Sequence, residues 1–129
     1  RACDRAEMLG PVYGEDLAEL RRRALVVVVP NIPMDGYDFE GFGLTAVEAS
    51  ADGAVLLAAN LDGIADAVKN NITGYSIEPG SARKWARTTR GIRGWPEPSR
   101  QKFLRASLRE TSEAYSWPRV AKDTLARMS

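Results

Sequence analysis

Histidine is absent from this 129-residue chain, and cysteine occurs once, at Cys3. Without an imidazole, His-based acid–base catalysis and His-ligated metal sites are excluded. A lone cysteine cannot close an internal disulfide, so a reducing, cytoplasmic setting is the simpler reading. Neither sign of charge dominates: 18 Lys and Arg against 17 Asp and Glu leave a formal net charge of +1. That balance provides no bulk field to recruit nucleic acid or a membrane. No apolar run approaches the roughly 18 residues of a membrane-spanning helix, and there is no internal repeat or low-complexity tract. The chain opens on Arg1 without a signal-peptide pattern, as expected of a fragment or a processed product. What is present, 44% hydrophobic and 27% charged residues, suits one small globular domain over residues 1–129 with a single core.

The chain is organised around residues 25–53. Leu25 to Val29 are five consecutive apolar residues, mostly β-branched, and predict a strand buried on both faces and closed by Pro30. After an acidic loop comes EGFGLTAVE, in which Gly41 and Gly43 permit close approach of the backbone to a ligand. LTAVEASA then resumes a helical pattern. Strand, glycine turn and helix N-terminus together present unpaired N–H groups that suit a phosphate or another electron-rich oxygen. A plainer reading stands beside this one: Thr45 and Glu48 fit a capping box, which would make Glu48 a helix anchor and Glu40 a solvated loop carboxylate.

Around this stretch helices and strands alternate. Leu17, Leu20 and Ala24 recur at helical spacing from Glu15, with Arg21, Arg22 and Arg23 read as a solvated helix end. Ala54 to Ala59 predict a second strand, about 62–70 a helix, and Gly74 to Ile77 a third buried strand. Alternation of this kind demands crossovers and a largely parallel sheet, with ligands outside the carboxyl ends of its strands. Ser81 caps a further helix to about Thr89, and Gly91, Gly94, Pro96 and Pro98 break the chain after it. Two amphipathic helices close it. Leu104, Leu108, Thr111 and Tyr115 align on one, and Trp117, Val120, Ala121, Thr124, Leu125 and Met128 on the other. Trp85, Trp95, Phe103, Tyr115 and Trp117 are read as packing residues.

The EGFGLTAVE run resembles the donor-binding half of the retaining glycosyltransferases of the GT-B fold, in particular family 4 ("group 1"). That family's motif is a glutamate, seven residues and a second glutamate, matched by Glu40 and Glu48. The resemblance extends over GEDLAELRRRALVVVVPN before it, LLAANLDGIADAVKNNITGYSIEPGS after it, and AYSWPRVAKDTL at the end. It implies an α/β, partial Rossmann-like parallel sheet flanked by helices, with a further strand at AEML, residues 6–9. It also implies transfer of a glycosyl group from a nucleotide-diphosphate sugar with retention of configuration. Glu40 would be the catalytic residue that contacts the donor sugar. Gly41, Phe42, Gly43 and Leu44 would meet donor oxygens, Glu48 would hold the ribose hydroxyls, and Gly10 and Val12 would lie beside the base.

No metal is expected, because Asp35 and Asp38 lack the Asp-x-Asp spacing, and no cofactor beyond the donor itself. The acceptor, a saccharide or a lipid-linked one, would belong to an N-terminal domain outside this chain. The whole enzyme would be cytoplasmic or peripheral to a membrane. Asp52, Ala54, Asp62 and Asp66 depart from the family's usual residues. The basic residues that grip the diphosphate belong to earlier units, so the chain alone is expected to be inactive. The family's strand order would leave the Leu25 to Val29 edge uncovered, and a homodimer is expected to cover it. The alternative is a non-catalytic α/β interaction module that retains a vestigial nucleotide-sugar site.

Overall fold

The computed structural model describes residues 5–33 and 43–128. Its three strands, β1 (Val27–Val29), β2 (Leu56–Ala59) and β3 (Gly74–Ile77), are parallel and lie across the sheet in that order. Val27 sits opposite Leu56, and Leu56 opposite Gly74. Parallel strands cannot be joined by tight turns. Accordingly α2 (Leu44–Ala51) lies between β1 and β2, and α3 (Asp62–Ala67) between β2 and β3. The helix α1 (Gly14–Arg23) precedes the sheet, and α4 (Ala82–Arg93), α5 (Glu97–Tyr115) and α6 (Trp117–Met128) follow it.

The middle strand is the apolar centre. Every residue of β2 is buried, and its alternation divides the core between two faces. Leu56 and Ala58 pack with Val29, Ala46, Ala49, Ile64, Ala67 and Val68 on the side of α2 and α3. Val55 and Leu57 pack with Ile77 and Ile92 on the other, where Tyr75, Trp85, Trp95 and Phe103 close over them. There the Tyr75 and Phe103 rings stack with centroids 5.8 Å apart, and Trp95 tilts against Phe103 at 5.2 Å. Burial in this cluster raises the pKa of the Tyr75 phenol above its ordinary value. The turn out of α2 uses Gly53 at φ +83°, a left-handed conformation that glycine adopts without penalty.

Helix α5 straps the end of the sheet where the strands begin. Arg100 Nη2 donates to the carbonyls of Ala24 (3.1 Å) and Leu25 (2.9 Å), just ahead of β1. Two turns on, Ser107 Oγ donates to the Thr73 carbonyl (3.3 Å), just ahead of β3, and Ser50 Oγ of α2 donates to the same oxygen (3.1 Å). Lys69 pairs with Glu110, and the Tyr115 hydroxyl donates to the Asp66 carbonyl at 3.3 Å. One helix thereby ties α2, both outer strands and the end of α3.

Several expectations are corrected. Residues 6–13 form no strand, and Met8 is 94% exposed: a short apolar run poor in β-branched residues, with Gly10 and Pro11 directly after it, does not pair with the sheet. Strand β1 is three residues long instead of five, and it is not buried on both faces: Val28 is 44% exposed. Among the described residues β1 forms one edge of the sheet. Helix α3 ends at Ala67, where Val68 turns to extended backbone. Helix α4 runs through Gly91 and stops at Gly94. On α5 the buried positions are Ser107 and Thr111, while Leu108 is exposed; Ser107 donates to the Thr73 carbonyl, and Thr111 Oγ1 is buried without a hydrogen-bond partner among the described residues. No residue of α6 is buried, and Trp117 is 83% exposed, so this residue does not act as a packing aromatic here.

Candidate functional site

At the opposite end of the sheet the strands deliver their carboxyl ends to one surface, the usual place for a ligand in an open α/β sheet. β1 is followed by Pro30, β2 by Asn60 and β3 by Glu78. Asn60 Nδ2 donates to Glu78 Oε1 (3.1 Å) and bridges two of these ends. Beside them a cavity of about 410 Å³ opens between Val28, Pro30, Gly80, Ser81 and Trp85. Glu40, Gly41 and Phe42 lie outside the described residues. The site that can be built upward is therefore the N-terminus of α2.

Gly43 is the residue before α2, and it is buried. Its N–H, expected to be available to a ligand, instead donates to the Gly63 carbonyl at 3.2 Å. Its own carbonyl accepts from Ala46 and Val47. A Cβ at this position would lie 3.0 Å from Ile64 Cα and 3.3 Å from Ala67 Cβ. Glycine is thus required here so that α2 can close on α3. The amides left without an intrahelical acceptor are those of the first turn, Leu44 and Thr45, and they sit at the positive end of the α2 dipole. Leu44 is exposed at this position.

Glu48 stands one turn further along α2, its side chain 57% exposed. Its Oε2 accepts from Arg21 Nη2 at 3.1 Å, and Arg21 Nη1 donates to Asp52 Oδ2 at 2.8 Å. Arg21 is only 10% exposed at its side chain, with its stem against the protein and its fork divided between two carboxylates. This corrects the reading of Arg21 as part of a solvated helix end, while Arg22 and Arg23 are exposed as expected. It also gives Asp52, a departure from the family's usual residue, a physical partner. The capping box does not form: Gly43 is the cap, no side chain caps α2, and Thr45 is already in its first turn. Glu48 is held from the α1 side through one oxygen, and Oε1 makes no hydrogen bond among the described residues.

Gly10, at φ +69°, and Val12 belong to the irregular segment ahead of α1. Among the described residues no hydrogen bond joins either of them to Gly43, Leu44 or Glu48. Sequence reasoning missed Arg21, Asp52, Asn60 and Glu78 as neighbours of the site. Arg21 and Glu48 are 27 positions apart, and no local pattern announces a pair at that distance. Replacing Arg21 with alanine leaves Asp52 half-sheltered and unpaired, and is expected to lower stability by about 2 kcal/mol. A fall in the urea midpoint without a change in m-value is the measurement that checks this.

Comparison with known proteins bears on the family and the fold. The family model "Glycosyl transferases group 1" matches residues 2–100. The chain is 34% identical over 122 residues to a D-inositol 3-phosphate glycosyltransferase of Salinispora tropica, covering 95% of this chain and 24% of the relative. It is 31% identical over 124 residues to a glycogen synthase of Mycobacterium tuberculosis, covering 96% of this chain and 28% of that protein. The chain thus spans about a quarter of the length of the relatives it matches. In fold it superposes on Anabaena Alr3699/HepE in complex with UDP with a TM-score of 0.71 at 18% identity, over 88% of this chain and 29% of that one. The same protein in complex with UDP-glucose gives 0.69 at 17% identity. With the α/β architecture, the glycine-led α2 and its anchored glutamate, the chain belongs to the group 1 glycosyl transferases.

Proposed function

We propose that this chain supplies part of the donor site of a retaining, nucleotide-sugar-dependent glycosyltransferase, with a UDP-sugar as the donor class. The observation that carries the reading is Glu48, exposed beside the N-terminus of α2 and held by Arg21 with one carboxylate oxygen left to accept from a hydroxyl. The likeness in fold to a protein crystallised with UDP and with UDP-glucose supports the choice of donor.

In this reading the first-turn amides of α2 meet the diphosphate, where negative charge grows as the glycosyl bond breaks. Glu48 fixes the ribose, and Glu40 contacts the sugar. The acceptor, a saccharide or lipid-linked saccharide, is bound elsewhere in the whole enzyme, which acts at the cytoplasmic side. Among the described residues no helix is long and apolar enough to cross a membrane.

Titration of the chain with UDP is the test. Saturable shifts are expected in the amide signals of residues 43–48, with those of α6 unmoved. A charge-assisted hydrogen bond contributes roughly 1.5–3 kcal/mol, so Glu48→Ala is expected to weaken binding roughly 10- to 100-fold. Shifts confined to α5 and α6 would instead favour the interaction module, for which the uncovered apolar face of α6, with Trp117, Leu125 and Met128, is the specific observation.

A further inference from the structure

The strand-beginning end of the sheet carries a second concentration of chemistry, at the opposite pole from Glu78 and Asn60. There the last turns of α1 and α4 converge on the first turn of α5. Between them lies a cavity of about 470 Å³ whose walls include Arg22, Arg23, Arg93 and Arg100. Leu25, Ile92, Trp95 and Leu104 form its apolar lining.

The four guanidinium groups differ in how far they are already satisfied. Arg22 is committed to Glu15 and Glu19. Arg100 Nη2 serves the Ala24 and Leu25 carbonyls, but its Nη1 is sealed from solvent and has no hydrogen-bond partner. Arg23 and Arg93 are exposed and make no ion pair among the described residues. The one carboxylate in the wall, Glu97, accepts from Gln101 Nε2 at 2.7 Å. Arg23 and Arg93 therefore bring two guanidinium groups without an ion pair to a cavity that holds one carboxylate.

Dipole compensation explains arginines at the ends of α1 and α4. It does not explain why the two helix ends converge, together with Arg22 and Arg100, on one cavity that holds a single carboxylate. An oxyanion entering the cavity would supply acceptors for the exposed Arg23 and Arg93 forks. Guanidinium forks match the oxygens of a phosphate in geometry as well as in charge. A neighbouring cavity of about 490 Å³ continues along α5, sharing Arg22, Gln101 and Leu104 and adding Ala51 and Leu108.

We propose that this cavity is an anion site that takes a phosphate group, presented either by a small soluble phosphate or by a lipid headgroup. The proposal is independent of the donor reading, because none of these residues belongs to the α2 N-terminus or to Glu48.

The test uses pyrophosphate followed by the Trp95 indole N–H signal, in the unaltered chain, in Glu48→Ala and in the double variant Arg23→Gln/Arg93→Gln. Both substituted arginines are exposed, so the double variant is expected to fold, with circular dichroism as the check. Saturable movement of the Trp95 signal is expected, unchanged in Glu48→Ala and weakened at least roughly tenfold in the double variant. Loss of the response in the double variant, with the Leu44 and Thr45 amide signals of α2 followed in the same titration, separates it from any pyrophosphate bound at the donor site. Co-sedimentation with vesicles of phosphatidylcholine, with and without phosphatidylglycerol, distinguishes the source. Binding only to the anionic vesicles, lost in the double variant, assigns the site to a headgroup. Pyrophosphate binding without sedimentation assigns it to a soluble phosphate. Absence of both, or equal binding by the double variant, overturns the proposal.

Discussion

Leu56→Ala is expected to destabilise the domain by about 3 kcal/mol and to lower its melting temperature by roughly 10 °C. Leu56 has no exposed surface, and it lies on the middle strand with β1 on one side and β3 on the other. The residues packed on its face are small or rigid: Ala46 and Ala49 from α2, Ile64 and Ala67 from α3. Alanines cannot extend into a void, and α2 is held in place by Ser50 and Arg21, so the cavity is expected to remain open. Small domains retain only about 5–15 kcal/mol in total, which makes this loss a large fraction. Leu25→Ala is the control: Leu25 is 39% exposed and outside both core clusters, and its loss is expected to move the midpoint little. Thermal and urea unfolding of the two variants side by side check the contrast.

Gly74→Ala is expected to cost a similar amount, about 3 kcal/mol, by the opposite mechanism of overfilling. Gly74 begins β3 directly opposite Leu56. A Cβ there would lie 2.8 Å from the Leu56 carbonyl oxygen and 2.9 Å from Leu56 Cβ. Neither atom can swing aside, since one is backbone and the other is fixed to it. The backbone conformation of Gly74 is an ordinary one, so the penalty is steric and not conformational. A double variant, Leu56→Ala with Gly74→Ala, distinguishes the explanations. Shortening Leu56 removes Cγ, 3.2 Å away, but leaves both closer atoms, so no rescue is expected. A double variant more stable than Gly74→Ala alone would show that side-chain crowding, not backbone approach, sets the cost.

The fold is legible in the sequence wherever its logic is local. LTAVEASA forms α2 over the expected residues, Gly74 to Ile77 form β3, and Ser81 caps α4 by accepting from the Lys84 amide. Other features have a structural role that local pattern does not announce. The missing side chain of Gly43 makes room for Ile64 and Ala67. A solvated helix end holds for Arg22 and Arg23 and fails for Arg21, because helical spacing ranks faces by hydrophobicity and cannot foresee a sheltered cation between two carboxylates.

What the sequence determined by itself is the α/β order, the three apolar strand segments and the glycine-led turn into α2, all of which follow from periodicity and backbone sterics over a few residues. What only the tertiary structure decided is which side chains meet across long separations. Arg21 reaches Glu48 and Asp52, Ser50 and Ser107 share the Thr73 carbonyl, and Arg100 crosses to Ala24 and Leu25. The physical reason is that hydrophobic periodicity encodes a face but not its partner. A polar group becomes informative only once packing has removed its water and left specific acceptors within reach.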